Sequence, residues 1–108
     1  MFSMFTVKNL TPTEVKTGLE QGQIVLVDVR EPNEHNAERI KGAVNVPLSQ
    51  IETAKLPDAN GKRLVMQCQG GFRSAKAVGI CRKRGLKVDH HLAGGINAWK
   101  ASGLPTTR

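Results

Sequence analysis

The segment of this chain with the clearest structural meaning is Ile24-Val25-Leu26-Val27-Asp28-Val29. It is a continuous run of mostly β-branched apolar residues, and Glu31-Pro32-Asn33 breaks it. Such a run is typical of a strand that is buried on both faces, as in a parallel sheet covered by helices. The shorter run Leu64-Val65-Met66-Gln67 has the same character and leads directly into Cys68. The two runs predict the centre of a mainly parallel sheet.

The remaining segments alternate between helix and strand signals. Thr11-Pro12-Thr13-Glu14 predicts a helix start, because it combines a capping threonine, a proline at the first helical position and the glutamate of a capping box; Gly22 ends this helix. The further predicted elements are an edge strand over 5–8, a polar helix over 33–39, a strand within 42–47, a helix over 74–84, a strand over 88–92 and a short helix around Trp99. This alternation predicts an α/β fold with helices on both faces of the sheet, in a single domain over residues 1–108.

The composition argues for a small globular protein that attracts anions. The formal net charge is +7, but Lys and Arg are spread along the chain, with one cluster at Arg82-Lys83-Arg84. Nucleic-acid binders usually add aromatic stacking residues or a groove-reading motif, whereas this chain has only three Phe and one Trp. We therefore expect no nucleic-acid partner and interpret the charge as a mild attraction for small anions.

The cysteines and the N-terminus favour a reducing, cytoplasmic setting. Two cysteines, Cys68 and Cys81, are too few for a disulfide framework or a Cys-rich zinc site. The N-terminal residues contain no extended apolar region, and no apolar run has the length of a membrane span. We therefore expect a cytoplasmic protein with no membrane segment within this chain, no metal and no organic cofactor, in which a free thiol can persist.

The chemistry is concentrated in the segment Cys68-Gln69-Gly70-Gly71-Phe72-Arg73-Ser74, between a predicted strand and a predicted helix. Ligands bind at the carboxyl ends of strands in open α/β sheets. The two glycines allow successive backbone N–H groups to turn inward as an anion-binding ring, and the helix start adds its positive end. Arg73 adds a permanent charge with forked donors.

A cysteine in this setting is expected to be a reactive thiolate. Helix N-termini and nearby cations lower the pKa of a thiol, and the thiolate is the nucleophile. The same amides would stabilise a persulfide anion, which fits a covalent two-step transfer on Cys68. Cys81, by contrast, lies on the apolar face of the predicted helix over 74–84, where free cysteines usually pack as small hydrophobes.

Three segments, in the right order and at the right spacing, resemble the single-domain rhodanese family. Cys68-x-x-Gly71-x-Arg73-Ser74 is similar to the active-site loop of that family. The upstream signature resembles Leu26-Val27-Asp28-Val29-Arg30-Glu31-Pro32 through Ile40-x-Gly42-Ala43-x-Asn45-x-Pro47, and the C-terminal one resembles Leu92-x-Gly94-Gly95-Ile96-x-x-Trp99-x-x-x-Gly103-Leu104-Pro105.

The resemblance implies a rhodanese-like fold and a sulfurtransferase of the thiosulfate sulfurtransferase type. Cys68 would be the nucleophile that carries sulfane sulfur, and Arg73 would close the loop as the second catalytic residue. The substrate-binding cradle would comprise Gln69, Gly70, Gly71, Phe72 and Ser74. Asp28 and Arg30 would brace the loop, and Trp99 would pack beneath it. The donor would be thiosulfate or another persulfide, and the acceptor cyanide or a thiol.

The sequence departs from the family pattern at several histidine positions. Glu38-Arg39-Ile40-Lys41-Gly42 stands where the family commonly shows Gly-His-Ile-Pro-Gly, a change that concerns packing more than catalysis. His35 falls where the family often places an aromatic residue, which favours a structural role. His90 and His91 lie at a strand end, and their position favours a structural role over a catalytic or metal-binding one.

Three alternative functions stay open. Cysteine phosphatases also combine Cys and Arg around an amide cradle, but their loop has five residues between them, whereas Cys68 and Arg73 enclose four. A non-catalytic interaction module on the same scaffold would be expected to lack the cysteine. A sulfur relay that works only with a protein partner would keep it, and the cluster at Arg82-Lys83-Arg84 could dock an acidic donor or acceptor.

Overall fold

A computed structural model describes residues 6–108, and five strands in this range form one sheet. The strands are β1 (Lys8–Leu10), β2 (Ile24–Asp28), β3 (Val44–Asn45), β4 (Arg63–Gln67) and β5 (His90–Leu92). Their order across the sheet is β1-β5-β4-β2-β3, and every neighbouring pair is parallel. The apolar run at 24–28 and the run before Cys68 are therefore adjacent strands near the middle of the sheet.

The helices are α1 (Pro12–Glu20), α2 (Pro32–Ala37), α3 (Phe72–Lys83) and α4 (Gly95–Ala101), with a 3-10 helix over Leu48–Gln50. The capping box predicted for α1 is present. The Glu14 backbone N–H donates to Thr11 Oγ1 at 3.1 Å, and the Thr11 N–H donates to Glu14 Oε1 at 2.9 Å. Each bond satisfies a polar group that the helix start would leave without a partner.

Side-chain alternation along the strands divides the core into two clusters, one on each face of the sheet. On one face, Val27 and Met66 pack with residues of α3 such as Val78. On the other face, Leu26 and Val65 pack with residues of α1 and α4. The α/β fold with helices on both faces is confirmed, and Cys68 belongs to the α3 face.

Several boundaries differ from the sequence-based expectation. The first strand runs over Lys8–Leu10 rather than 5–8, and residue 5 lies outside the described residues. Helix α3 begins at Phe72, two residues before the predicted start, because Gly71 occupies the N-cap with a φ of +110°. Arg39 forms an antiparallel bridge with Thr107, which ties the chain near its end to the segment after α2.

None of the helices within residues 6–108 has the length and apolar character needed to cross a bilayer.

Candidate active site around Cys68

Cys68 directly follows β4, the middle strand of the sheet, which has a strand on each side. The side chain is buried, with 1% of the residue exposed. The chain turns between Cys68 and Phe72, where α3 begins, so the sulfur lies between a strand end and a helix start. The structure thus brings the sulfur to the carboxyl edge of the sheet, as expected from the sequence.

Backbone amides at the start of α3 face the sulfur. The Gly71 N–H donates to Cys68 Sγ at 3.0 Å, and the Ser74 hydroxyl oxygen lies 3.4 Å from the same sulfur. Burial raises the pKa of the Cys68 thiol. Hydrogen bonds from the Ser74 hydroxyl and from the backbone N–H groups of Ser74, Gly71 and Gly70 lower it by more than burial raises it, so the net pKa lies below its ordinary value. The site therefore stabilises an anion on the sulfur.

The N-terminus of α4 holds the base of the loop from below. The Ile96 N–H donates to the Cys68 carbonyl at 2.9 Å, and the Asn97 N–H donates to the Gln69 carbonyl at 3.1 Å. Gly95 has a φ of +61°, and a Cβ there would overlap the carbonyl groups of Cys68 and Gln69. Only glycine lets the two backbones approach so closely.

A buried ion pair braces the loop from β2. Arg30 is buried against Asp28, with Arg30 Nη2 2.8 Å from Asp28 Oδ2. Arg30 Nη1 donates to Gln69 Oε1 at 3.1 Å, and the Gln69 amide donates onward to Asn97 Oδ1 at 2.6 Å. These contacts place Asp28 and Arg30 beside the loop, where Arg30 binds the Gln69 side chain. His35 contributes to the same cluster, since its Nδ1 lies 2.9 Å from Asp28 Oδ2.

Arg73 forms an ion pair with Glu34. Its Nη1 and Nη2 donate to the Glu34 carboxylate at 2.6 and 3.0 Å, in a bidentate pair between α3 and α2. Hydrogen bonding from Arg73 lowers the pKa of Glu34 to about 2. The charge of Arg73 is thus offset by the Glu34 carboxylate, which no local sequence signal indicated. The hydrogen bond to Glu34 raises the pKa of Arg73 most, and Cys68 is also among the charges that raise it, so the guanidinium lies within electrostatic reach of the sulfur.

Trp99, which the resemblance implies would pack beneath the loop, belongs to α4 and lies in the second core cluster. Trp99 is 4% exposed and packs in the core cluster on the opposite face of the sheet from Cys68, with its Nε1–H donating to the Pro105 carbonyl at 2.8 Å. The reason is the direction of α4. Its first residues touch the loop, while its later residues run down the face that α1 covers.

The mouth of the loop is open on one side. Phe72, the first residue of α3, is 92% exposed. It borders an open cavity of about 320 Å³, which Gly70, Gly71, Ala75 and Gly94 also line. Two kinds of position are thus occupied by the residues expected to bind substrate. The glycine amides face the sulfur, whereas the Phe72 side chain lies on the outer rim of the loop.

His91 and Asn9, which were not expected to be site residues, connect to the sulfur through Ser74. Ser74 Oγ lies 2.8 Å from His91 Nδ1, and His91 Nε2 lies 2.7 Å from Asn9 Oδ1. A polar chain thus runs from Cys68 through the core-facing side of β5 to β1. Only the sheet order, which places the carboxyl end of β5 beside that of β4, could have indicated that His91 lies close to the Cys68 loop.

The other predicted features lie away from the site. Cys81 is buried in the α3-face cluster, and burial raises the pKa of its thiol, as suits core packing. Arg82 pairs with Asp89, and Arg84 Nη1 donates to the carbonyls of Ile51 and Ala54. Residues 82–84 lie at the end of α3 far from Cys68. Within residues 6–108, no three His, Cys, Asp or Glu side chains are grouped to hold a metal ion.

Known proteins with the same architecture were found by sequence and by structure. Protein slr1261 of Synechocystis, itself uncharacterized, is 40% identical over 92% of this chain, which spans 55% of that protein. A rhodanese-related protein from Thermoplasma volcanium superposes with a TM-score of 0.80 and 27% identity, covering 93% of this chain and 97% of its own. The human single-domain sulfurtransferase TSTD1 gives 0.77 and 28%, covering 88% and 96%.

The family match covers most of the chain. The rhodanese-like domain aligns with residues 11–102, from the cap of α1 to the end of α4. It includes every residue of the loop around Cys68 and of the ion pair that braces it. The chain therefore belongs to the family of rhodanese-like domains.

Proposed function

We propose that this chain is a sulfurtransferase that carries sulfane sulfur as a persulfide on Cys68. The observation that carries the proposal is the surroundings of the sulfur: a buried Cys68 Sγ that accepts the Gly71 N–H at 3.0 Å at the start of α3. The pKa of the thiol lies below its ordinary value because of these donors, despite burial. Membership of the family and the likeness to a sulfurtransferase support the same reaction class.

In the first half-reaction, the Cys68 thiolate attacks the outer sulfur of the donor. With thiosulfate, a new S–S bond forms at Cys68, the S–S bond of thiosulfate breaks, and sulfite leaves with its electron pair. Cys68 then carries a terminal sulfur with one negative charge. Because thiolate and persulfide are both anions, the positive electrostatic field of the amides of Gly70, Gly71 and Ser74 favours both forms.

In the second half-reaction, a nucleophile removes the outer sulfur. Cyanide or a thiolate attacks this atom, the S–S bond to Cys68 breaks, and thiocyanate or a new persulfide leaves. The bonding pair returns to Cys68 as the thiolate, so the cycle closes with no net oxidation. Such a sequence gives ping-pong kinetics.

The donor preference follows from the ion pair beside the loop. Thiosulfate is a dianion, and the nearest guanidinium, Arg73, already binds both oxygens of Glu34. We therefore expect thiosulfate to bind weakly, and a persulfide donor with one charge to compete well against it.

Intact-protein mass spectrometry after incubation with thiosulfate tests the proposal. We expect a gain of one sulfur atom that subsequent cyanide removes. Cys68→Ser should show no gain, whereas Cys81→Ala, which changes the other buried thiol, should behave as the unchanged protein. Sulfur gained by Cys68→Ser would assign the carrier to another residue, and no gain from thiosulfate or from an organic persulfide would contradict the proposal.

A sulfur relay with a protein partner is the second candidate, and the exposed Phe72 favours it. An aromatic side chain that is 92% exposed on the rim of the loop offers apolar area to a docking surface. Sulfur gain from a protein persulfide but not from thiosulfate, reduced by Phe72→Ala, would support this form of the function. The cluster at Arg82–Arg84 remains a proposed docking site for an acidic partner, but the 12 residues of α3 place it about 18 Å from the loop.

The phosphatase alternative is not favoured. A phosphatase needs the guanidinium beside its cysteine to bind phosphate oxygens, and here both ends of Arg73 bind Glu34.

A further inference from the structure

Four side chains form a continuous polar chain that starts at the reactive sulfur. Cys68 Sγ lies 3.4 Å from Ser74 Oγ, and Ser74 Oγ lies 2.8 Å from His91 Nδ1. His91 Nε2 lies 2.7 Å from Asn9 Oδ1. Ser74 and His91 are buried, with 0% and 7% exposed, whereas Asn9 is exposed at the outer end of the chain of hydrogen bonds.

The sheet itself brings the chain together. In the parallel register, Asn9 on β1 is the partner of His91 on β5, and His91 is the partner of Met66 on β4. Paired residues on neighbouring strands point to the same face, and so does Cys68, two residues after Met66. Helix α3 covers that face and places Ser74 between the sulfur and the imidazole.

We propose that Ser74, His91 and Asn9 form a proton relay, in which the proton of the Cys68 thiol passes through the Ser74 hydroxyl to His91 Nδ1. The thiolate is then paired, through one hydroxyl, with an imidazolium. The use of this relay in sulfur transfer rests on the proposed function of Cys68, but the proton transfer itself does not.

The thiol form satisfies every group in the chain. Asn9 Oδ1 can only accept, so Nε2 of His91 carries a proton and donates to it. The other nitrogen, Nδ1, then has a lone pair and accepts the Ser74 O–H. The free lone pairs of Ser74 Oγ accept the S–H of Cys68.

The thiolate form satisfies the same atoms in the same positions. The S–H bond breaks and a proton moves to Ser74 Oγ, while the proton that the hydroxyl held moves to His91 Nδ1. The imidazolium now donates from both nitrogens, to Ser74 and to Asn9, and the hydroxyl donates to the sulfur anion. Two protons have each moved along one hydrogen bond, which is a net transfer of one proton from Sγ to Nδ1. No electrons have been transferred, and no heavy atom needs to shift.

The charged groups around His91 leave it neutral until the sulfur ionises. Burial lowers the pKa of His91, and no charged neighbour contributes to that shift. The ionisable side chains on the packed elements are Lys8 on β1, Arg63 on β4, Asp89 and His90 beside or on β5, and Arg73, Lys76, Cys81, Arg82 and Lys83 on α3. Lys8, Arg63 and Asp89 act on the neighbouring His90, and Glu34 offsets Arg73. A charge on His91 is therefore stabilised mainly by the anion that its own protonation creates.

If Ser74 and His91 had only a structural role, one fixed arrangement of their hydrogen bonds would be enough. The Ser74 hydroxyl also lies 3.1 Å from the Gly71 carbonyl, so it has an acceptor without either Cys68 or His91. Fixed orientation of the hydroxyl would thus leave the protonation state of His91 independent of the sulfur. Coupling between the two is what distinguishes a relay.

Nuclear magnetic resonance of the unsubstituted, reduced protein tests this coupling without a sulfur donor. The 13Cβ shift of Cys68 reports ionisation of the thiol, and the 15N shifts of His91 report the protons on each ring nitrogen. Because the relay keeps the proton inside the protein, pH does not drive the transfer itself. We expect Nδ1 to carry a proton at neutral pH when Cys68 is a thiolate, and to lose it to solvent only at higher pH, while Cys68 stays ionised. A His91 that is neutral whenever Cys68 is a thiolate would overturn the proposal.

Two substitutions should move the Cys68 pKa in opposite directions. His91→Gln removes the proton acceptor and should raise it by about one unit, which is a tenfold loss of thiolate at neutral pH. Asn9→Asp places a carboxylate against Nε2, favours the imidazolium and should lower it. His90→Gln, on the same strand but outside the chain of hydrogen bonds, is the matched control. Shifts of the same sign in both variants, or none, would contradict the relay.

These measurements separate the relay from the function of the site. A protein that gains no sulfur in mass spectrometry but shows coupled protonation of Cys68 and His91 keeps the relay and loses the proposed function. A protein that gains sulfur while His91 stays neutral keeps the function and loses the relay.

Discussion

Glu34 controls how much of the Arg73 charge reaches the loop. Both ends of the guanidinium bind its carboxylate, so a dianionic donor approaching Cys68 meets a neutral pair rather than a cation. At the scale of a single residue, the affinity for thiosulfate therefore depends on an acid in α2 that does not touch the sulfur.

We expect Glu34→Gln to lower the KM for thiosulfate several-fold, because it leaves the positive charge of Arg73 without its counter-ion beside the loop. Steady-state kinetics of thiocyanate formation measure the change. Glu38→Gln is the matched control, since Glu38 binds Lys100 and Thr106 instead. An unchanged KM in Glu34→Gln would remove Arg73 from donor binding.

The residue scale is also where the sequence was least informative. The motif around Cys68 identified the nucleophile and the amides, since these depend on local chain order. Partners such as Glu34 and His91 depend on which elements pack against the loop, since Glu34 lies 39 positions from Arg73 and His91 lies 17 positions from Ser74. No local pattern marks such pairs.

The N-terminus of α4 supports the loop through a close backbone approach at Gly95. Any side chain there would overlap the carbonyl groups of Cys68 and Gln69, and backbone atoms cannot move aside as a flexible side chain can. The positive φ of +61° adds strain for any other residue. The position of α4 and the shape of the loop are therefore set together.

We expect Gly95→Ala to lower the free energy of unfolding by about 2 kcal/mol or more, from overlap and backbone strain combined. Gly79→Ala is the contrasting variant. Gly79 lies inside α3 with no atom within 4 Å of an added Cβ, so the better helix propensity of alanine should stabilise by up to about 1 kcal/mol. Urea denaturation measures both. Equal effects of the two substitutions would contradict the close approach.

Most elements could be predicted because their signals are local. The capping box of α1 and the apolar runs of β2 and β4 each lie within a few residues. The 3-10 helix at Leu48–Gln50 was not predicted, since a single turn leaves no periodicity. The core cluster in which Trp99 packs was not predicted, because the direction of α4 follows from its contacts with the loop rather than from its own sequence.

At the scale of the whole molecule, ionisable groups with shifted pKa values link stability to pH, and Glu34, His90 and His91 are three of them. Burial lowers the pKa of His91 and of His90 from an ordinary value of 6.5, and Arg73 lowers that of Glu34 from 4.5 to about 2. In each case the unfolded chain binds more protons than the folded one once the pH falls below the ordinary value. Stability must therefore rise with pH through both ranges.

We expect the free energy of unfolding to fall in two stages on acidification. The first begins near pH 6.5, where the unfolded histidines take up protons, and the second near pH 4.5, where unfolded Glu34 does so and its stabilising pair is lost progressively toward pH 2. Denaturant titrations across this range measure the stages. Glu34→Gln should weaken the lower stage and His91→Gln the upper one; a profile that neither substitution changes would assign the pH dependence to other groups.

The fold class could be predicted from the sequence as a whole, since alternation of strands and helices over 108 residues leaves few architectures. The polar chain from Cys68 to Asn9 could not, because it requires the strand order and register that bring β1 beside β5.

Because Cys68 is buried, the free thiol and the persulfide would differ in how far the terminal sulfur atom extends from the core. An S–S bond is about 2 Å long, so under the proposed function the delivered atom stands that much farther from the core than Sγ, nearer the opening beside Phe72. A bulky disulfide cannot easily approach a thiol of which 1% is exposed, whereas an acceptor needs to touch only the outermost atom. The cargo is thus presented to the surroundings while the carrier itself stays shielded, and between turnovers the empty thiol is protected from being trapped in mixed disulfides.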